Sequence, residues 1–379
     1  MTGNAPSAIP GLTYTNERNP AIPWSVHVVK VDRTNPQFAI LTSHAGGGAL
    51  GMSPLRQQIA AVSSDSGQVV AAINGGFYLR EQAFAGCPRG LQVINREVLS
   101  APNGNATFWI DVLREPHLAN VHSQFLVALP DGTVIRFEVN GPPADHVAML
   151  YTPAIGSAIT NRNGRDLVLE SAEGRRWLPL QLNRTCVARV REEKPGGNTG
   201  VPTNGMVLSI GRQLLRRFDS VKAGSLLRLS TECSPRLTGV QAALSGGPAL
   251  VLGGKRRKVR ASIDDPYELS SMLERHPRTA FGWNERCYFL VVVDGRQRDL
   301  SVGMTLEELS AYMVKLGCEE ALNLDGGGSS TLWFNGEVCN EPCDGYERPV
   351  ANGLLVVLQQ SARREFSRSA SNGAGPGTP

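Results

Sequence analysis

Apolar runs that stop abruptly at a polar residue and a glycine recur along this chain, and they mark its expected strands. Cys287–Val293 (CYFLVVV) has no charged member, the pattern of a strand buried on both faces. It runs into Asp294-Gly295-Arg296. Thr305-Leu306-Glu307-Glu308 then reads as a capping box, whose hydroxyl and carboxylate satisfy the first free N–H groups of a helix. Leu306, Leu309, Met313 and Leu316 fall on one face of that helix, and Gly317 is placed to end it. A second strand over residues 321–324 delivers Asp325. Strand, helix and strand at this spacing predict a βαβ unit with parallel strands and a right-handed crossover. That arrangement sets Asp294 and Asp325 on one sheet edge, where open sheets bind ligands.

The same rhythm appears elsewhere. An apolar strand at residues 69–73 ends in Asn74-Gly75-Gly76-Phe77-Tyr78, and Ser245-Gly246-Gly247-Pro248 precedes a short strand, Ala249–Leu252. Residues 26–31 and 38–41 read as strands and 55–62 as a short helix. From 107 to 229 the pattern is short strands, such as 121–129, 133–139, 186–190 and 206–210, broken by Gly, Asn and Pro turns. The fold class that follows is α/β to α+β: a mixed β-sheet with a parallel βαβ core and flanking helices, plus a β-rich insertion. The domain is expected over residues 24–360, with the insertion at about 107–240. Residues 1–23 are expected to be extended and the Ser/Gly/Pro/Arg-rich tail at 361–379 disordered.

Composition narrows the function classes. Hydrophobic content of 41% and charged content of 19% describe an ordinary folded protein, and the net charge of +4 is mild. The basic run Lys255-Arg256-Arg257-Lys258 follows a Gly-Gly turn and reads as solvated charge. No recognition helix or aromatic interleaving accompanies it, so nucleic acid is not an expected partner. No stretch approaches the roughly 18 apolar residues of a membrane span. Residues 1–10 lack the basic and apolar regions of a leader, which fits a mature exported chain or a cytoplasmic one; an extracytoplasmic or secreted protein is the expectation adopted. Cys339 and Cys343 flank Asn-Glu-Pro and could close a small loop in an oxidising compartment. The cysteines and histidines form no zinc pattern, and no cofactor is predicted.

The strongest chemical signal is Asn323-Leu324-Asp325-Gly326-Gly327-Gly328-Ser329-Ser330-Thr331. Three glycines beside a strand-terminal carboxylate let a ligand approach the backbone and its N–H groups closely. Upstream, His276-Pro277-Arg278-Thr279-Ala280-Phe281-Gly282 sets a guanidinium at a strand mouth, where it can grip a phosphate or carboxylate. Neither a Gly-x-Ser-x-Gly elbow nor a Walker loop is present around these residues.

Taken together, NGGFY (74–78), SGGPAL (245–250), HPRTAFG (276–282), VDGR (293–296) and NLDGGGSST (323–331) resemble the phosphodiester glycosidase family in order and spacing, over about residues 66–358. The resemblance implies hydrolysis of the anomeric C–O bond of a sugar 1-phosphodiester, such as α-N-acetylglucosamine on a glycan or cell-wall polymer. An oxocarbenium-like centre then needs a carboxylate near C1 and donors around the departing phosphate. Asp325 is the first choice for that carboxylate, with Asp294 as its partner and Arg278 on the phosphate. The implied substrate-binding set includes Asn74, Gly75, Gly76, Ser245, Gly246 and Gly247. It continues with His276, Thr279, Gly326, Gly327, Gly328, Ser329, Ser330 and Arg348. Two alternatives stay open. One is a metal-dependent phosphoesterase in which Asp294 and Asp325 hold a divalent cation; the other is a non-catalytic cell-wall or glycan-binding module.

Overall fold

The computed structural model describes residues 9–156, 163–174, 176–197, 199–259 and 266–359, with residues 266–269 described by their backbone alone. The tail at 361–379 lies outside the described residues. Two antiparallel sheets form a sandwich. One runs in the order Leu12–Asn19, Trp24–Asp32, Cys287–Val293, Arg278–Trp283, Glu320–Asn323, Ala249–Leu252, Lys255–Arg256. The other runs Glu337–Val338, Leu332–Phe334, Gln68–Asn74, Asn352–Leu358, Phe38–His44. Val29, Val31, Leu290 and Val292 of the first share a core with Ile73, Leu354 and Val356 of the second. Their alternates, Val28, Val291 and Val293, pack in a separate core with residues of a helix. Burial on both faces is why CYFLVVV is apolar throughout.

Among the described residues the α-helices are α1 (Leu55–Ala60), α2 (Pro266–Leu273) and α3 (Leu306–Lys315). The capping box of α3 is formed: Thr305 Oγ1 accepts from the Glu308 N–H at 3.1 Å, and the Glu308 carboxylate accepts from the Thr305 N–H at 2.9 Å. Gly317, at φ +87°, follows its C-cap. Leu306, Leu309 and Met313 seat the helix on the first sheet.

The fold class differs from the expectation. Helix α3 does join Cys287–Val293 to Glu320–Asn323, but these strands are not neighbours. Arg278–Trp283 lies between them and pairs antiparallel with both. The expected parallel pairing of these two strands is therefore absent, and the described residues are mostly β-sheet with few helices. The physical reason is local closure: Arg278–Trp283 returns to Cys287–Val293 through a short hairpin, whose low loop entropy claims the neighbouring slot. A crossover helix fixes the direction of two strands and leaves their adjacency open. Asp294 and Asp325 still follow strands that end on the same edge.

The β-rich middle closes on itself. Pro116–Ala128, Val134–Val139, Ala148–Tyr151, Met206–Ile210, Arg165–Ser171, Thr185–Pro195 and Leu226–Ser234 are hydrogen-bonded in succession, and the last pairs back with the first. An odd ring of strands needs a parallel step, and Val134–Val139 with Ala148–Tyr151 supplies it. Closure removes the exposed edges that would otherwise template aggregation. Alternate residues, including Phe125, Val127, Phe137, Leu208, Leu227 and Leu229, fill the inside. Barrel and sandwich share a wall. On Asn103–Ile110 and Ala242–Ser245, Phe108 and Leu244 face the sandwich core while Trp109 and Ala243 face the barrel core.

Candidate active site

The floor of the site is set by a buried asparagine. Asn74 Nδ2 donates to the Asp325 carbonyl at 2.7 Å, while its Oδ1 accepts from Thr279 Oγ1 at 2.7 Å and from the Thr331 N–H at 3.1 Å. The Asp325 N–H in turn donates to the Gly75 carbonyl at 3.0 Å. One amide thus ties both sheets to the loop that carries Asp325. Asn74 and Thr279 are fully buried and engaged with each other, behind the floor and away from its open face.

All three glycines have a steric reason, and a Cβ on Gly326 would lie 2.7 Å from the Pro277 carbonyl oxygen. Gly327 sits at φ +60°, a left-handed conformation, with the Arg296 guanidinium 3.2 Å from where a Cβ would lie. A Cβ on Gly328 would collide with the Arg348 guanidinium and the Asp344 carboxylate, which pair at 2.6 Å. Of the N–H groups in this loop, that of Gly327 donates to the Pro277 carbonyl and that of Ser329 to the Gly326 carbonyl. Neither is directed at a ligand.

Above this floor is a cavity of about 850 Å³, lined by Asp325, Gly326, Gly327 and Gly328. Arg80, Arg89, Arg278, Arg296 and Arg348 contribute to its wall, and Asp325 and Glu81 are its carboxylates. Asp325 is enclosed by protein except on the cavity side, where it is partly exposed. Burial pushes its carboxyl above the ordinary value, against the pull of Ser329, Arg80, Arg348 and the Gly326 N–H. Ser329 Oγ lies outside hydrogen-bond geometry to any partner, as does Ser330 Oγ, yet Ser329 is close enough to oppose that rise.

The arginines are not equivalent. Arg278 uses three N–H bonds on main-chain carbonyls: Nε on Met304 at 2.8 Å, Nη1 on Ser271 at 2.8 Å and Nη2 on Glu274 at 2.7 Å. It docks the C-terminal end of α2 against the sheet, where a cation also complements the helix dipole. Burial and the nearby Arg296 push its guanidinium down to about 10. Arg296 Nη2 donates to His276 Nδ1 at 3.3 Å. A guanidinium only donates, so the ring proton belongs on Nε2, which faces the Ser270 carbonyl at 3.2 Å. Burial, Arg278 and Arg296 hold His276 below its ordinary value, which favours the neutral ring that accepts from Arg296.

Asp294 is the main displacement from the sequence reading. It does not line the cavity. Its Oδ2 accepts from His27 Nε2 at 2.8 Å, and its Oδ1 accepts from the Glu341 N–H at 2.9 Å and Asn340 Nδ2 at 3.3 Å. Tyr14 OH completes the chain on His27 Nδ1 at 2.8 Å. Ser245 is likewise turned away, with its hydroxyl 2.7 Å from Thr107 Oγ1. Gly247 reaches the cavity; Gly75, Gly76 and Gly246 support it from behind. Cys339 and Cys343 are free thiols. Sequence reading missed Arg80, Arg89 and Arg296 as lining residues. Arg296 sits inside VDGR and Arg80 just after NGGFY, which is a usable signal; Arg89 has none.

Residues 180–357 match the model of the phosphodiester glycosidase family, which takes in four of the five motifs. NGGFY lies before the matched stretch and joins it through Asn74. Over 83 residues the chain is 36% identical to the SPbeta prophage-derived uncharacterized protein YomE of Bacillus subtilis, covering 22% of this chain and 13% of that protein. A solved hypothetical protein from Synechocystis superposes with a TM-score of 0.73 at 19% identity, over 91% of this chain and 62% of that one. An exported-protein candidate from Burkholderia pseudomallei K96243 gives 0.68 at 21% identity, over 88% and 74%. The chain thus spans less than two thirds of the first two relatives, and the two solved structures share its fold.

Proposed function

We infer, from the phosphodiester glycosidase domain that this chain carries at residues 180–357, that it hydrolyses the anomeric C–O bond of a sugar 1-phosphodiester. The observation that carries this reading is a cavity with five arginines in its wall and a carboxylate, Asp325, on its floor. Arg278 is held by main-chain carbonyls and Arg348 by Asp344, yet guanidiniums still outnumber carboxylates in this wall, which favours an anion, and planar donors suit phosphate oxygens. A phosphomonoester is a good leaving group and needs little proton assistance. Bond breaking at C1 then demands a carboxylate facing the anomeric carbon and cations facing the departing phosphate.

Asp325 takes the first role in its ionised form, as nucleophile or as base toward water. The C1–O electron pair leaves with the phosphate, toward the arginine wall, and water supplies the new sugar hydroxyl. Asp294 acts as a positioning residue, since the strand end it fixes leads directly to Arg296. A metal-dependent phosphoesterase would need Asp294 and Asp325 on one cation, and the engagement of Asp294 with His27, Asn340 and Glu341 speaks against it. A glycan or cell-wall substrate suits an extracytoplasmic protein, in keeping with the exported description of one fold relative. No helix among the described residues is long and apolar enough to cross a membrane.

The test is hydrolysis of a simple alkyl diester of α-N-acetylglucosamine 1-phosphate. The expected result is free N-acetylglucosamine, unaffected by EDTA, with Asp325→Ala reduced at least about a hundredfold. Turnover near wild type in that variant would remove Asp325 from the mechanism.

A further inference from the structure

The cavity above Asp325 does not end at its arginine wall. A second cavity of about 690 Å³ adjoins it, and Phe77 and Arg89 line both. The two residues are joined across their loop by the Arg89 N–H, which donates to the Phe77 carbonyl at 2.8 Å. They form a waist with an aromatic ring and a cation. Beyond it the wall changes owner. Asn105, Ser123 and Arg136 come from Asn103–Ile110, Pro116–Ala128 and Val134–Val139, strands of the barrel and its shared wall. The side chains of Arg89, Asn105 and Arg136 make no hydrogen bond or ion pair with one another or with other described residues. Donors left open in a polar cavity are available to a ligand.

We propose that this second cavity is the subsite for the alcohol side of the phosphodiester, and that this alcohol is a hydroxyl-rich sugar unit or short glycan. The proposal rests on the glycosidase reading for the first cavity. Each chamber alone falls within the volume range of a small-molecule site, roughly 300–1,000 Å³. Together they take a ligand of at least two units with a charged link between them. Arg89 stands at the waist, where that link must pass. Amide and guanidinium groups beside the Phe77 ring provide planar hydrogen bonding and an apolar face, the combination that a pyranose presents to its receptor. The barrel thereby acquires a function: it selects what the phosphate is attached to, while the sandwich performs the cleavage.

The test uses two ligands, the methyl diester of α-N-acetylglucosamine 1-phosphate and the same compound with a hexose trisaccharide in place of methyl. Calorimetry on the full chain carrying Asp325→Ala gives both dissociation constants without turnover. The longer ligand should bind at least about tenfold tighter. Adding Asn105→Trp, which puts an indole into the second cavity, should abolish that advantage and leave methyl-diester affinity within about twofold. Arg136→Ala should reduce the same advantage without adding bulk. Equal affinities for the two ligands, weakening of both alike by Asn105→Trp, or no binding by either would overturn the assignment. Hydrolysis separates the two readings. Length-dependent binding with no sugar released by the wild type would sink the glycosidase and leave the subsite, whereas release without length dependence would do the reverse.

Discussion

At the scale of single residues, two strand-terminal aspartates that look alike in sequence have opposite surroundings. Asp325 faces a cavity, and its carboxyl is raised above the ordinary 3.8 chiefly by burial. The folded protein therefore binds that proton more tightly than the unfolded chain. The resulting stability is complete below pH 3.8 and is lost as pH rises through the raised value. Asp325→Asn keeps the neutral form at every pH. Its Tm should exceed that of the wild type at about pH 7, and the gap should close toward about pH 3; a gap independent of pH would contradict the assignment. Asp325 was legible because three glycines beside a carboxylate are a local signal. Asp294 also ends an apolar strand before a glycine, but its partner His27 lies 267 positions away. Nothing local announces that contact. The arginines were hidden for a related reason: a single arginine looks like any surface cation until folding brings several to one wall.

At the scale of elements, local chemistry was readable and adjacency was not. The capping box and Gly317 delimit α3 because caps answer to neighbouring residues. The hairpin that inserts Arg278–Trp283 between the two expected partners answers to the whole sheet. The same distinction separates structural from catalytic roles at the strand ends. Asp294 holds the loop carrying Asn340 and Glu341 against the sheet, so Asp294→Ala removes the acceptor shared by His27, Asn340 and the Glu341 N–H. It should cost about 3 kcal/mol in urea unfolding. The kcat of the protein that remains folded should fall by less than about tenfold. Unchanged stability with collapsed turnover would return Asp294 to the chemistry.

At the scale of the whole molecule, sandwich and barrel are joined by strands that serve both cores. Phe108 is fully buried and packs on Phe281 and Trp283 at centroid distances of 4.9 and 5.5 Å. Phe108→Ala should destabilise by about 3–5 kcal/mol. Unfolding followed by tryptophan fluorescence and by far-ultraviolet dichroism should remain one coincident transition; two separated transitions would show that the cores fold apart. The alternation of the barrel strands was visible in the sequence, but the pairing of Leu226–Ser234 with Pro116–Ala128 was not, because closure of a ring has no local signature. The central claim is that this assembly presents a carboxylate to carbon and cations to phosphate. Hydrolysis of the sugar 1-phosphodiester in ¹⁸O-labelled water tests it most directly. The label should appear in the released sugar and the phosphomonoester should stay unlabelled. Label in the phosphate would mean attack at phosphorus and would contradict the account.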